Sequence, residues 1–245
     1  MSLRVTVATA VRVLTQLRRD PRTIGLLIGV PSVLVVLLHE LFADRPRVFQ
    51  SIGGPILGLF PFVSMFIVTS ITMLRERVSG TLERLMTMPL AKLDLLLGYG
   101  LAFALVAAVQ ASVVSAVAFG ALGLDVDRSP VAVVALAIGN ATLGMALGLF
   151  VSAFARTEFQ AVQFMPAFVF PQMLLCGLFV PRDEMARWLQ LVSDALPLTY
   201  SYDALRRVTA APELGSRFAL DLAVTLGATF LALALGAVTL RRRTP

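Results

Sequence analysis

The chain has 245 residues, of which 58% are hydrophobic and 15% are charged, and its mean hydropathy is +0.85. Soluble domains carry about 25% charged residues, so this composition excludes an ordinary soluble domain and indicates an integral membrane protein. The net charge is +6. Because the basic residues cluster at the ends of apolar runs and not in a dense patch with aromatic neighbours, they indicate membrane topology and no nucleic-acid partner.

The residues needed for ATP hydrolysis or metal chemistry are missing from the sequence. The one lysine, Lys92, is not part of a Gly-Lys-Ser or Gly-Lys-Thr sequence, so the chain has no phosphate-binding loop of that kind. One histidine and one cysteine, Cys176, argue against a zinc site or a Cys/His dyad. We therefore predict no catalytic, cofactor-binding or metal site, and no enzymatic activity.

Residues 1–22 form the first predicted element, which is amphipathic. Its apolar residues recur at helical spacing with the arginines off that stripe, and the stripe consists of Leu3, Val7, Val11, Leu14 and Leu17. An amphipathic helix that is rich in arginine lies in the membrane interface. We predict an interfacial helix that leads into the first membrane span.

Six apolar runs follow, and each approaches or exceeds the length of about 20 residues that crosses a hydrocarbon core of about 30 Å. They occupy residues 24–42, 52–73, 95–122, 131–155, 162–180 and 218–240. The fifth run contains Pro166 and Pro171, which lack a backbone N–H and should bend or break a helix. The predicted fold class is an all-α integral membrane protein with six transmembrane helices in a single domain, residues 1–245.

A charged segment, residues 75–89, lies between the second and third runs. Wound as a helix, it presents apolar side chains on one face and polar or small residues on the other; the first face holds Val78, Leu82 and Leu85, and the second holds Glu76, Gly80, Glu83 and Thr87. Such a helix is suited to lie on the membrane surface and to offer its polar face to a soluble partner.

The long connection before the last run, residues 181–217, contains a second amphipathic stretch. We predict helices at 188–196 and 199–207 that rest on the outer leaflet or dip partly into it. Pro197 should separate them, because a proline disfavours helical backbone at the preceding residue. Trp188, Tyr200 and Tyr202 would then lie at the depth of the lipid headgroups.

The distribution of basic residues predicts the orientation. With the N-terminus inside, thirteen Arg and Lys residues fall in cytoplasmic segments and three fall in the two short outer loops. Positive charge concentrates on the cytoplasmic side of membrane proteins. Both termini and residues 75–92 are therefore predicted to be cytoplasmic, and residues 44–50 and 181–217 to be outside.

Few polar residues interrupt the predicted spans. His39 and Glu40 lie late in the first span and Asp221 lies early in the sixth, where a charge that anchors the helix at the interface is favoured and a transport role stays open. The spacing of Gly144 and Gly148 permits close helix approach within one subunit or between two. Amide side chains are expected to bond neighbouring helices; they are Gln110, Asn140, Gln163 and Gln172.

Two segments carry a family resemblance. The sequence ERVSGTLERLMTMPL at residues 76–90 resembles the cytoplasmic loop of ABC-2 type transporter permeases, in which a glutamate precedes Gly-Thr-Leu-Glu, a leucine and Thr-Pro. LPLTY at 196–200, followed by DALR at 203–206, resembles the family's signature before its last span. Thr87-Met88-Pro89 replaces an adjacent Thr-Pro, which blurs the end of the first helix.

The resemblance implies a half-transporter of a bacterial ABC exporter, similar in size to drug and lipid efflux members of the daunorubicin-resistance kind. Two such subunits, identical or different, would form a pathway, each docked on a separate ATPase subunit that binds ATP and Mg²⁺. Residues 75–89 would be the coupling helix, with Val78, Leu82 and Leu85 packed inward and a partner-facing set of Glu76, Gly80, Thr81, Glu83 and Arg84. The outer helices would form a gate that includes Trp188, Pro197, Thr199 and Tyr200.

Two alternatives to an ATP-driven exporter remain at this point. The chain could be a channel or lipid scramblase that acts without ATP, or a membrane anchor that recruits a cytosolic partner through residues 75–89. The apolar and aromatic spans favour an amphipathic or hydrophobic cargo over a hydrophilic ion. The phenylalanines concerned would equally serve to pack helices or to face lipid; they are Phe60, Phe62, Phe66, Phe164, Phe168 and Phe170.

The predicted orientation is testable with one introduced cysteine. In a background that carries Cys176→Ser, a cysteine introduced by Ser79→Cys should stay unlabelled by a membrane-impermeant maleimide in intact cells and should label after the cells are opened. An outer-loop variant, Asp44→Cys, is the positive control. Labelling of position 79 in intact cells would refute the cytoplasmic placement of this segment.

Overall fold

The computed structural model of the chain describes residues 2–81, 84, 92–126, 129–210 and 215–239. Within these residues the structure is helical, with short connections and one 3₁₀ turn at Arg182–Glu184. The helices are α1 Leu3–Arg18, α2 Pro21–Leu41, α3 Pro46–Val78, α4 Lys92–Gly120, α5 Pro130–Val151, α6 Glu158–Phe168, α7 Phe170–Leu175, α8 Arg187–Asp194, α9 Pro197–Ala210 and α10 Gly215–Thr239.

Five of these helices are long and apolar enough to cross a membrane: α2, α3, residues Leu97–Gly120 of α4, α5 and α10. They correspond to five of the six predicted runs. The remaining run, the fifth in chain order at 162–180, is not one long helix. The count of six continuous spans is therefore not confirmed.

The fifth run is divided into α6 and α7 at Val169. The Val169 N–H donates to the carbonyl of Met165 at 2.7 Å, and the Met173 N–H donates to the carbonyl of Val169 at 2.9 Å, so helical hydrogen bonding continues across the break. Pro166 lies inside α6 and Pro171 lies in the first turn of α7, and neither has an N–H to donate. The break that the two prolines predict is confirmed.

Several helices begin earlier than hydropathy predicts. A proline lies in the first turn of three helices: Pro21 in α2, Pro46 in α3 and Pro130 in α5. At this position the missing N–H of proline costs nothing and its fixed φ favours helix. The carboxylate of Asp20 caps α2 by accepting from the Thr23 N–H at 3.2 Å. With 33 residues, α3 is about 50 Å long, longer than the apolar run inside it.

Helix α5 packs directly against the backbone of α3. A Cβ added at Gly144 would lie 2.2 Å from the backbone oxygen of Phe62, and one added at Gly148 would lie 2.4 Å from that of Phe66. Thr69 also donates from its hydroxyl to the carbonyl of Met145 at 3.2 Å. The Gly144–Gly148 pair therefore brings two helices of the same chain together. Of the two predicted alternatives, this is the approach within one subunit.

Contacts between helices define two ends of the bundle. At the α1 end, α1 meets the last turns of α3 and the first turns of α4, where Arg12 lies 3.1 Å from Glu76. At the α9 end, α9 packs beside the first half of α3, where Cβ atoms added at Gly54 and Gly58 would meet Thr209 and Leu205.

The segment formed by α6 and α7 leads from the α1 end towards the α9 end. The carboxylate of Glu158, at the start of α6, pairs with Arg75 near the end of α3 at 2.8 Å. Gln172 in α7 instead accepts from the N–H of Leu198 in α9 at 3.4 Å. The last helix, α10, returns: it starts beside α9, and its Gly236 lies against the backbone of Phe150 near the end of α5.

Helix α1 packs against α4 through a face of small and medium-sized residues. Thr9, Ala10 and Val13 are buried, and an added Cβ at Gly98 of α4 would lie 2.5 Å from the Cβ of Thr9. The predicted apolar stripe is exposed at the start of α1, where Leu3 is 80% exposed, whereas Leu14 further along packs against the core. Helix α1 therefore uses small and medium-sized residues for helix contact and leaves several larger apolar ones exposed, as an interfacial helix would.

Helices α8 and α9 lie in the two stretches for which helices are predicted, but α9 is inserted into the bundle more deeply than a helix resting on a surface. The hydroxyl of Ser201 donates to the amide oxygen of Asn140 at 2.8 Å, and Asn140 lies about 15 Å along α5 from Pro130. Gln110 donates to the carbonyl of Leu27 at 2.8 Å. Both amides thus bond neighbouring elements, which confirms the expectation for them.

The packing of α3 on α5 predicts the response to a single methyl group. Gly144→Ala should lower the free energy of unfolding by about 1–3 kcal/mol, because the new Cβ overlaps backbone atoms that cannot move aside. Gly139→Ala, on the same helix, is the control: nothing lies within 4 Å of its added Cβ, so it should be neutral or slightly stabilising. Thermal unfolding followed with a thiol-reactive dye reports both, since Cys176 is fully buried. Equal stability of the two variants would contradict the close approach.

Candidate functional site

At the α1 end, three polar side chains from three helices meet. The Arg12 Nη1 atom donates to Glu76 Oε1 at 3.1 Å, and its Nη2 atom donates to the hydroxyl of Tyr99. The Arg12 guanidinium also lies 5.4 Å from the centroid of the Tyr99 ring. Through this cluster α1, the end of α3 and the start of α4 are held together by one side chain.

Burial makes the Arg12–Glu76 ion pair stronger than a surface pair. The side chain of Glu76 is only 7% exposed and that of Arg12 is 29% exposed. The second carboxylate oxygen of Glu76 is buried and has no hydrogen-bond partner among the described residues. Because a buried carboxylate without a counter-charge is costly, Glu76 depends on Arg12 for its place in the structure.

This placement corrects two sequence predictions. Glu76 is predicted to be exposed on the polar face of residues 75–89, but it is buried, and Val78 is predicted to pack inward, but it is 72% exposed. The cause is that both residues still belong to α3, whose buried face continues through Met73 and Leu74 to Glu76. The orientation of α3 in the bundle, and not the amphipathicity of residues 75–89, decides which way they point.

Gly80 ends α3 through its backbone conformation. Its φ of +72° lies in the left-handed region, where glycine is favoured, and it follows the C-cap residue Ser79 as helix-terminating glycines do. Among the described residues no atom lies within 4 Å of a Cβ added there, so the turn itself accounts for the glycine. The carbonyl of Gly80 then accepts from the N–H of Arg84 at 3.1 Å.

The other predicted coupling residues are placed as far as the structure describes them. Thr81 is half-buried and Arg84 is exposed; the hydroxyl of Thr81 lies 3.0 Å from that of Ser79. Thr81 and Ser79 line a cleft of about 260 Å³ between α1, the start of α2 and the end of α3. Leu82, Glu83 and Leu85 lie outside the described residues.

Two further polar contacts fix this end of the bundle. Arg75 donates to both carboxylate oxygens of Glu158, from Nε at 2.8 Å and from Nη2 at 3.0 Å, and these hydrogen bonds lower the pKa of the Glu158 carboxyl. The N–H of Ser2 donates to Asp94 Oδ2 at 2.9 Å. These contacts join the start of α1 to α4, and the start of α6 to α3.

The predicted outer-gate residues lie together around the start of α9. Thr199 is fully buried, and its hydroxyl donates to the carbonyl of Ser193 at 2.9 Å. The hydroxyl of Tyr200 donates to the carbonyl of Asp194 at 2.7 Å, while Trp188 is 65% exposed. Pro197 is the first residue of α9. These contacts join the end of α8 to the start of α9.

The charged residues predicted inside or near the spans have different surroundings. Asp221 is buried and accepts from Arg207 Nε at 3.2 Å, so an ion pair between α10 and α9 accounts for it. The side chain of Glu40 is 68% exposed, and the His39 ring lies edge-on to Phe49 with centroids 5.0 Å apart. Among the described residues, no group of His, Cys, Asp or Glu is placed to hold a metal ion.

Sequence reasoning missed the partners that make these sites. Arg12 and Tyr99 are 64 and 23 residues away from Glu76 along the chain, and Arg207 is not part of any span. A usable signal for Arg12 is its position off the apolar stripe of α1, which is expected of a residue that turns towards protein and away from lipid.

The fold defines a multi-pass helical membrane protein in which a buried ion pair joins α1 to the end of α3. Residues 4–209 match the family model of the ABC-2 type transporter. The chain belongs to the ABC-2 type transporter family, which confirms the resemblance found in the sequence.

The relatives that the chain resembles include a probable multidrug ABC transporter permease and a linearmycin resistance permease protein. The chain is 28% identical over 159 residues to the probable multidrug ABC transporter permease YbhR of Escherichia coli K12, covering 62% of this chain and 42% of the relative. It is 25% identical over 139 residues to the linearmycin resistance permease protein LnrN of Bacillus subtilis, covering 57% of this chain and 36% of the relative. It is 26% identical over 150 residues to ABC transporter G family member 20 of Dictyostelium discoideum, covering 61% of this chain and 20% of the relative. The chain thus spans less than half the length of these relatives.

The buried ion pair predicts a stability difference between two arginines at the same end of the bundle. Arg12→Met should lower the free energy of unfolding by about 1–3 kcal/mol, because it leaves the buried Glu76 carboxylate unpaired. Adding Glu76→Gln to this variant should restore part of the loss. Arg75→Met removes a pair whose side chains are 58% and 53% exposed, so it should cost less than about 1 kcal/mol. Thermal unfolding in detergent ranks the three variants, and an equal loss for Arg12→Met and Arg75→Met would contradict the account.

Proposed function

We propose that this chain is the membrane-spanning permease subunit of an ABC exporter and that a separate ABC ATPase subunit hydrolyses the ATP. The single observation that carries the proposal is the family match over residues 4–209, which includes Arg12, Glu76, Tyr99 and the segment that follows α3. The chain pairs with a second permease subunit, either a copy of itself or a related chain, in the bacterial cytoplasmic membrane.

The α1 end supplies a route by which an ATPase acts on the bundle. A partner that moves residues 79–91 pulls on the end of α3, because Gly80 follows α3 directly. The same pull reaches α1 and α4, since Arg12 connects Glu76 to Tyr99. Rigid helices that meet at a few polar contacts transmit small displacements as movements of whole elements. Thr81, Glu83 and Arg84 face the ATPase in this proposal, whereas Glu76 anchors the segment from inside.

The proposed orientation has α1 and residues 75–92 in the cytoplasm. Two observations support it: basic residues dominate these segments, and the contacts of Glu158 with Arg75 and of Gly236 with Phe150 bring α6 and the end of α10 to the α1 end. In this orientation α6 and α7 cross together as a broken span, and both termini are cytoplasmic.

The cargo in this proposal is amphipathic or hydrophobic. The printed names of two relatives refer to multidrug transport and to linearmycin resistance. Of the phenylalanines singled out in the sequence, Phe62 and Phe66 are fully buried against α5, whereas Phe168 and Phe170 are 45% and 44% exposed. The exposed pair lies at the break between α6 and α7, and it is the aromatic surface that a hydrophobic cargo or a second subunit would meet.

The coupling proposal predicts the effect of reversing one charge. Glu83→Arg should leave the protein inserted and folded but reduce recovery of the ATPase and abolish ATP-driven efflux, because a carboxylate held against a basic groove contributes a few kcal/mol at most and reversal makes the contact repulsive. The tagged chain is captured from membranes, the co-purifying ATPase is identified by mass spectrometry, and efflux of rhodamine 6G is measured at matched expression.

The control is Glu40→Arg, which makes the same change at a side chain 68% exposed at the opposite end and should leave ATPase capture and efflux unchanged. Leu82→Asp should lower expression through lost packing. Efflux without an ATPase would favour a channel or scramblase, and ATPase capture without efflux would favour an anchor. Full assembly and efflux by Glu83→Arg would contradict the coupling role.

A further inference from the structure

A lateral apolar cavity lies between α5, α9 and α10, away from the α1 end. Its volume is about 330 Å³, roughly twice that of an apolar cavity of about 150 Å³ that holds a benzene-sized molecule. Small residues on α5 and α9 leave this space open, and apolar side chains of α10 close its other side. Its lining comprises Ala132, Ala135, Leu136, Gly139, Ser201, Ala204, Phe218, Leu222, Thr225 and Leu226.

A polar pocket of about 270 Å³ adjoins this cavity. The two spaces share helices: Ala204 lines the cavity and its neighbour Asp203 lines the pocket, while Phe218 lines the cavity and its neighbour Arg217 lines the pocket. Consecutive Cα atoms are 3.8 Å apart, so the linings of the two spaces meet at neighbouring residues of α9 and of α10. The full lining of the polar pocket is Gly177, Arg182, Asp183, Gln190, Asp194, Asp203, Arg206, Arg207 and Arg217.

The arginines around the polar pocket differ in how closely they are paired, although with Asp221 the four arginines face four aspartates. The lining holds four arginines and three aspartates. Arg182 donates to both Asp194 and Asp203, and Arg207 pairs with Asp221 beneath the pocket. Arg206 reaches Asp203 only at 3.8 Å and its side chain is 52% exposed.

Arg217 lies in the first turn of α10, is exposed and forms no ion pair with a described carboxylate. Arg206 and Arg217 are therefore the guanidinium groups best placed to bind a further anion. Arginine is well suited to this, because its planar fork matches the geometry of a phosphate.

We propose that the two spaces together form a binding site for one phospholipid with an anionic headgroup, whose acyl chain enters the cavity between α5, α9 and α10 and whose phosphate contacts Arg206 and Arg217. The inference rests on the proposed function to the extent that it requires these helices to lie in a membrane. An apolar space beside a cationic pocket matches the two parts of a phospholipid, and a bilayer supplies this ligand laterally at high local concentration. The site is separate from the α1 end.

The test uses phosphatidylglycerol that carries a photoreactive diazirine on one acyl chain, incorporated into nanodiscs with the purified full chain. After irradiation, mass spectrometry of peptides should find the label on α5 residues 132–139 and α10 residues 218–226. A diacylglycerol with the same acyl chain and diazirine but no phosphate should label these peptides roughly fivefold less, as expected for loss of an exposed ion pair.

Two variants probe the two halves of the site. Gly139→Leu places a larger side chain at the cavity wall, where nothing lies within 4 Å of an added Cβ, and it should reduce labelling about tenfold since it displaces buried methylene groups of the lipid. Arg217→Gln should reduce labelling by phosphatidylglycerol roughly fivefold and leave labelling by diacylglycerol unchanged.

The matched controls are Gly227→Leu, at a glycine of α10 with equally open surroundings, and Arg47→Gln, at an exposed arginine near the start of α3. Both should label as the unaltered chain does. Thermal unfolding with the thiol-reactive dye confirms that all four variants are folded.

Undiminished labelling of Gly139→Leu, or equal labelling by the two lipids, would overturn the proposal. Rhodamine 6G efflux measured in parallel separates this result from the exporter proposal. Normal efflux with no labelling at these peptides overturns the lipid site alone. If the peptides are labelled as expected but no ATP-driven efflux is measured, the lipid site is supported and the exporter proposal alone fails.

Discussion

The structure depends on the close approach of α3 to its neighbours. Inside a bilayer no hydrophobic driving force pulls helices together, because lipid is as apolar as leucine, so association relies on van der Waals packing of small residues and on hydrogen bonds between helices. Helix α3 meets the first condition twice, and the hydroxyl of Thr69 also donates to the carbonyl of Met145 in α5. Gly144 and Gly148 of α5 let it touch backbone to backbone, and its own Gly54 and Gly58 admit the side chains of α9.

Because α3 is held along most of its length, it connects the two ends of the molecule. Gly54, which contacts α9, and Glu76, which pairs with Arg12, lie about 33 Å apart along one helix axis. A displacement at Glu76 therefore reaches the α9 end through a single element. Arg12 also bonds Glu76 of α3 and Tyr99 of α4. A displacement at the α1 end therefore acts on α1, α3 and α4 together.

The sequence predicts the elements that depend on local composition and misses those that depend on distant partners. The long apolar helices follow from runs of about 20 apolar residues, and the break near Val169 follows from two prolines. Pro21, Pro46 and Pro130 mark helix starts that hydropathy places later. The sequence places Glu76 on the wrong face, because the orientation of α3 in the bundle and a remote partner, Arg12, decide its burial. It places α9 too near the surface, because only the fold brings Asn140 beside Ser201.

The central claim is that an ATPase docks at the α1 end through the residues that follow α3. Site-directed cross-linking in membranes tests it most directly, with cysteines introduced by Thr81→Cys and Arg84→Cys in the Cys176→Ser background and a short bifunctional maleimide. The account predicts that both positions cross-link to an ABC ATPase subunit and that Asp44→Cys and Asp183→Cys, at the α9 end, do not. Cross-links to the ATPase from the α9 end, with none from positions 81 and 84, would contradict it.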